Sequence, residues 1–183
     1  IALVGLFAAL TAVGAVFSIP VGTVPFSLQL LFTLLSGALL GSRLGSLSQA
    51  SYVLMGLIGL PVFAMRRAGF GVLAGPTGGF LVGFILAAWV TGWIIERFTP
   101  QKEGNEAAAS PGIVFLAMLA GALVTYVPGI AWLAWHVGGI RPATVSMLPF
   151  VPGDLVKAVI GTGIVTMLQV RGLWIRLGQG AGR

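Results

Sequence analysis

Cysteine occurs nowhere in the 183 residues, which removes disulfides, thiolate metal sites and thiol nucleophiles together. Charge is nearly as scarce: 8% of the residues are Asp, Glu, Lys or Arg, against roughly 25% in an ordinary soluble domain. With 4 acids in the whole chain, general acid–base and two-metal catalysis lack their carboxylates. The one histidine, His136, has no second ligand type near it in sequence, which argues against a metal site. Lys102 follows Gln101 and Lys157 follows Val156, so the Gly-Lys step of a phosphate-cradling loop is missing and the chain is not an ATPase. No grouping of Ser, His and Asp suggests a nucleophile. The chain is expected not to be an enzyme.

What is abundant is apolar: 57% of the residues are hydrophobic. No charge falls between Ile1 and Ser42, and the runs Leu44 to Met65, Ala68 to Ile95 and Ala107 to Ile140 are equally uncharged. Each is long enough to cross a bilayer, since a spanning helix needs about 20 mainly apolar residues. The chain is therefore read as an all-α integral membrane protein. The formal charge of +6 does not point to nucleic acid, because the basic residues are scattered at segment ends rather than gathered in a patch. Topology signals and contact with lipid headgroups account for them. Because the chain opens on Ile1, residues upstream are expected; apolar character that continues past any cleavage point argues against a signal peptide.

Punctuation by Gly, Pro and charge predicts six transmembrane helices in a single membrane domain, 1–183. They cover about Ala2 to Phe17, Phe26 to Leu40, Leu44 to Leu60, Thr77 to Glu96, Pro111 to Trp135 and Phe150 to Val170. The second and third, joined by a tight turn around Gly41-Ser42-Arg43-Leu44-Gly45, are expected to pack as an antiparallel hairpin. An even number of spans puts both termini on one side. Arg43, Arg97, Lys102, Arg171, Arg176 and Arg183 fall on that side, against Arg66, Arg67 and Arg141 on the other, so the positive-inside bias predicts cytoplasmic termini. Trp89, Trp93 and Trp174 then lie near the inner interface, with Trp132 and Trp135 near the outer one.

The polar linker Arg97 to Ser110 reads as a solvated cytoplasmic connection. The three linkers on the opposite face, 18–25, 61–79 and 136–153, are apolar yet rich in Gly and Pro. Irregular backbone at membrane depth is tolerated where protein or a cavity satisfies its polar groups, which makes the outer face the expected site.

Asp154 and Lys157 are the only charges inside the last span and share one helical face. Either Asp154 caps a helix start after Pro152-Gly153 with Lys157 as its ion-pair partner, or the two hold a polar ligand. As a ligand site they offer an acceptor for N–H groups and an ammonium for a carbonyl or carboxylate. Gly75-Pro-Thr-Gly-Gly79 opens the fourth span, and either its backbone N–H groups approach a ligand or it is a tight turn with close helix packing. Gln29 either lines a pocket or bonds a neighbouring helix. Ala8 and Ala12 form a small-residue face that lets another helix approach, in this chain or in a partner.

Five segments carry a resemblance: Thr23-Val-Pro-Phe-Ser-Leu-Gln29, Gly59-Leu-Pro-Val-Phe63, Gly69-Phe70, Gly75-Pro-Thr-Gly-Gly-Phe-Leu-Val-Gly-Phe84 and Phe150-Val-Pro-Gly-Asp-Leu-Val-Lys-Ala158. In this order, over nearly the whole chain, they closely resemble the biotin-specific substrate-binding (S) component of energy-coupling-factor (ECF) transporters, the BioY family. The resemblance implies an ECF S-component-like bundle of six helices in a prokaryotic cell membrane, binding biotin from outside and needing no cofactor. It implies partners too: a transmembrane coupling protein and two ATPases that supply the energy. By the same resemblance Asp154 and Lys157 are polar ligands of the vitamin, and the loop from Phe63 to Gly79, with Gly75 and Thr77, forms pocket and lid. Ala8 and Ala12 would dock on the coupling protein. Arg67 matches a loop arginine of some relatives; the loop Met65-Arg66-Arg67-Ala68 is less Gly-rich than in many, and Phe80 stands where Tyr is frequent. Biotin suits such a site, with a ureido group for exact hydrogen bonds, a sulfur-containing ring for walls such as Phe63 and Phe70, and a carboxylate for Lys157 or Arg67. The alternative is an S component for another vitamin, or a self-sufficient facilitator.

Overall fold

The computed structural model describes residues 1–99 and 108–170; Lys102, Arg171, Trp174, Arg176 and Arg183 lie outside the described residues. Helix α1 (Ala2–Val16) leads into a ribbon of β1 (Ser18–Val21) and β2 (Val24–Ser27). Then follow α2 (Gln29–Leu57), a 3₁₀ turn (Ala64–Arg66), α3 (Phe70–Ala74), α4 (Gly78–Phe98), α5 (Pro111–Val137), α6 (Ile140–Met147) and α7 (Phe150–Val170). Among the described residues, 4 helices are long and apolar enough to cross a membrane, α2, α4, α5 and α7, and α1 is a shorter apolar helix.

The α2 run folds back on itself. Gly41 leaves the helical conformation at φ 82° and ψ 178°. A Cβ on Gly45 would lie 2.7 Å from Gly37 Cα, whereas a straight helix would hold these residues about 12 Å apart. The Gln49 amide spans the two legs, accepting from Thr33 Oγ1 at 3.1 Å and donating to Ser36 Oγ at 3.1 Å. Legs 29–40 and 42–57 are thus antiparallel, as the tight turn around Gly41 predicts. Glu96, near the end of α4, fixes the reversal: its carboxylate accepts from Ser42 N–H at 2.8 Å and from Ser42 Oγ at 2.7 Å. That arrangement satisfies a free N–H at the start of the second leg and favours the positive end of its dipole.

The first leg of α2 runs through the middle of the bundle, with Leu34, Leu35 and Ala38 buried beside Ala87 of α4 and Val114, Ala117 and Met118 of α5. α5 passes through Pro128 without ending, a break in the hydrogen-bond ladder that neighbouring helices allow in a membrane bundle. α1 packs on α2 through its buried side, where Thr11 donates to Phe7 O and lies 3.4 Å from Gln49 Oε1.

The end of the bundle away from Glu96 differs from the irregular linkers expected there. Residues 18–27 form a β-hairpin in which Pro20 pairs with Pro25 and Val21 with Val24, around a turn whose Gly22 has φ 63°. Phe26 therefore belongs to β2, and the second span starts at Gln29 rather than Phe26. Gly in the first position of a two-residue turn is a hairpin signal, masked here by two prolines that normally argue against strands. The linker 136–153 contains the end of α5, all of α6 and the start of α7. Between α2 and α4, Met65 and Arg66 have φ 61° and 56°, a left-handed conformation that costs a non-glycine residue about 1 kcal/mol. Ser18 holds this turn, accepting from Met65 N at 3.1 Å while its hydroxyl lies 3.5 Å from Met65 Sδ.

Candidate ligand-binding site

These elements enclose a cleft at the end of the bundle opposite Glu96. It is lined from β2 by Pro25 and Ser27, from α2 by Gln29, from either side of the 3₁₀ turn by Phe63 and Arg67, from α4 by Phe80 and Phe84, from α5 by Tyr126, and from α7 by Phe150, Asp154 and Lys157. Thr77, just ahead of α4, and Met147 of α6 complete the wall. The space is about 740 Å³, including the part open to the surroundings, which is the size of a small-molecule site.

Asp154 and Lys157 are 7% and 5% exposed and form an ion pair with Lys157 Nζ 2.7 Å from Asp154 Oδ1. The other carboxylate oxygen accepts from the Tyr126 hydroxyl. Lys157 Nζ also lies 3.9 Å from the centroid of the Phe26 ring, a cation–π contact. Taking two charges out of water costs several kcal/mol per ion before the mutual attraction is counted. The neighbours offset that penalty without exhausting the pair, since each carboxylate oxygen has a further lone pair and an ammonium has three N–H donors. Helix α7 begins at Phe150, so Asp154 stands in its second turn and is not the N-cap that Pro152-Gly153 suggested. Of the structural reading, the ion pair is present and the cap is not.

Gln29 also faces the cleft, with its amide engaged from behind: Oε1 accepts from Ser27 Oγ at 2.8 Å and Nε2 donates to the Tyr52 hydroxyl at 2.5 Å. Arg67 is exposed at the mouth, and its carbonyl accepts from Phe63 N at 3.1 Å. Among the described residues the only ion pair is Asp154–Lys157, so Arg67 meets no acid of this chain there.

Six of the eight expected ligand residues therefore line one cleft: Asp154, Lys157, Arg67, Gln29, Phe63 and Thr77. Phe70 does not, standing 70% exposed at the start of α3. Gly75 does not line it either. Its N–H faces Val72 O at 3.3 Å, and its carbonyl accepts from Gly78 N at 3.1 Å and Trp132 Nε1 at 2.9 Å. A Cβ on Gly79 would come within 2.3 Å of Pro128 O, so the Gly75–Gly79 segment is a tight turn with close helix packing. Ala8, at 1% exposure, belongs to the chain's own core, while Ala12 is only partly buried against that core. Sequence reasoning missed Tyr126 and Tyr52. The available signal was their rarity: the chain has 2 tyrosines, both within apolar spans, and a buried phenol needs a hydrogen-bond partner.

Comparison with known proteins places this geometry in a lineage. The family model described as the BioY family matches residues 1–173. A "Biotin transporter BioY" of Thermotoga maritima is 44% identical over 166 residues, covering 90% of this chain and 92% of the relative. One of the same name from Rhodobacter capsulatus is 44% identical over 186 residues, covering 93% and 94%. The fold matches the crystal structure of an S-component for biotin from an ECF-type ABC transporter with a TM-score of 0.83, at 25% identity, over 96% of this chain and 94% of that one. With the family model spanning most of its length and two such relatives covered almost end to end, the chain belongs to the BioY family.

Proposed function

We propose that this multi-pass membrane protein is the biotin-capturing S component of an ECF-type transporter. The observation that carries the reading is the buried Asp154–Lys157 pair, held by Tyr126 on the wall of a cleft with Arg67 exposed at its mouth. Biotin is a cyclic urea fused to a thioether ring, with a carboxylate on a flexible tail. In this reading Asp154 accepts from the urea N–H groups, Lys157 donates to the urea oxygen, and Phe63, Phe80 and Phe150 pack on the rings. Arg67 meets the carboxylate, because Lys157 already has its counter-charge. Gln29 and Thr77 supply further polar contacts.

The same reading makes the chain one membrane domain of six spans with both termini in the cytoplasm and the cleft facing outward. A coupling protein and ATPases would supply the energy. Docking on the coupling protein would fall to the exposed side of α1, where Gly5 and Ala9 lie, since Ala8 is buried. Calorimetric titration of the detergent-purified chain with biotin tests capture, and saturable binding by the chain alone is expected. Binding of a different vitamin instead would assign another substrate, and uptake without ATPase partners would make the protein a self-sufficient facilitator. Orientation is tested by Ala68→Cys in this cysteine-free chain, with labelling expected from the outside only.

A further inference from the structure

We propose that Tyr52, which does not line the cleft, is a positioning residue that fixes the orientation of the Gln29 amide and so sets the order of donor and acceptor along one wall. The inference rests on the reading that the cleft holds a urea. Tyr52 is fully buried in the second leg of α2. A hydroxyl has one proton, and the Tyr52 proton goes to Val62 O at 3.1 Å. Only its lone pairs remain for Gln29, so the group lying 2.5 Å away is the amide nitrogen. Rotating the amide by half a turn would set Oε1 against those lone pairs, or draw the proton off Val62 and strand a carbonyl. Ser27 does not discriminate, because its hydroxyl donates to Oε1 at 2.8 Å and would accept from Nε2 equally well. Orientation thus depends on Tyr52, whose ring stands edge-on to Phe63 at 5.7 Å and 83°. Phe63 in turn fits beneath Gly56, where a Cβ would lie 2.1 Å from the ring.

Gln29 has one N–H and one lone pair left over, at the cleft wall. With Tyr52 in place these are presented in one order; in Tyr52→Phe both orders are open. The test compares biotin with 2-iminobiotin, in which the urea acceptor is replaced by a donor. In Tyr52→Phe, the affinity ratio of the two ligands is expected to narrow about tenfold, the effect of one hydrogen bond. Equal weakening of both ligands would make Tyr52 merely structural and overturn the proposal. If Tyr52→Phe does not fold, Gln29→Met takes its place: loss of discrimination supports the inference, and unchanged discrimination overturns it. An arm independent of biotin is the side-chain amide signal of Gln29 in ¹⁵N-labelled protein. One proton of the pair is expected to be shifted downfield in the wild type and to lose that shift in Tyr52→Phe. If wild-type protein binds no biotin, the substrate reading fails while this signal still decides the role of Tyr52.

Discussion

Glu96 and Asp154 are the two acids among the described residues, and they stand at opposite ends of the bundle. Glu96 gives its two carboxylate oxygens to Ser42, one to the backbone N–H and one to the hydroxyl, at the reversal of α2. Asp154 also has both oxygens engaged, by Lys157 and Tyr126, but all three residues line a cleft. The surroundings differ in the same sense. Around Glu96 the backbone closes on itself: a Cβ on Gly92 would lie 2.3 Å from Ser42 N. Around Asp154 lie a ribbon, two short helices and a left-handed turn, which together leave space. In an apolar chain a charge by itself therefore does not mark a site. What separates architecture from binding is whether the satisfied group still faces a cavity.

Four substitutions test that contrast. The largest effect is expected from Gly45→Leu at the reversal, where a side chain would have to occupy the position of Gly37 and the backbone of Ser36. Overpacking of a tight site costs about 1–3 kcal/mol, and more where the obstacle is backbone. Loss of monodisperse protein in size-exclusion chromatography is the expected outcome, and a folded, biotin-binding variant would break the contrast. Next comes Asp154→Asn, which removes the counter-charge of Lys157 while keeping the shape. Biotin affinity is expected to fall by at least about 1 kcal/mol in calorimetry, while Glu96→Gln lowers the melting temperature and leaves affinity unchanged. The opposite assignment of those two effects would reverse the account of the ends. The smallest effect is expected from Arg67→Gln, because ion pairs at exposed positions contribute about 0.2–1 kcal/mol. Its weakening of biotin binding should shrink as salt is raised, and a salt-independent loss would argue for a contact other than charge pairing.

The helical legs were legible because lipid-facing helices announce themselves by length and lack of charge, and the reversal of α2 because Gly41 and Gly45 stand together in an otherwise apolar run. The buried ion pair was legible for a related reason, since two charges a turn apart inside a span are hard to overlook. What escaped was direction. The spacing of Ala8 and Ala12 says that a helix comes close, not whose helix it is. An aromatic such as Phe70, in a segment that folds over a cleft, faces inward or outward according to packing that sequence does not specify. Tyr126 was invisible for another reason: it meets Asp154 only because α5 and α7 are neighbours, a relation between segments 28 residues apart. The β-hairpin escaped because its prolines contradict strand propensity, although a ribbon of two strands tolerates them.

Those prolines have a consequence of their own. In a ribbon closed by a two-residue turn, with Val21 opposite Val24, the next pair has its backbone nitrogens directed away from the partner strand, and here that pair is Pro20 and Pro25. Each free border thus lacks a donor with which a foreign strand would register. The lip of the cleft is built from extended chain yet is a poor template for β-augmentation, so neighbouring copies crowded in one membrane have little means of zipping together across their openings.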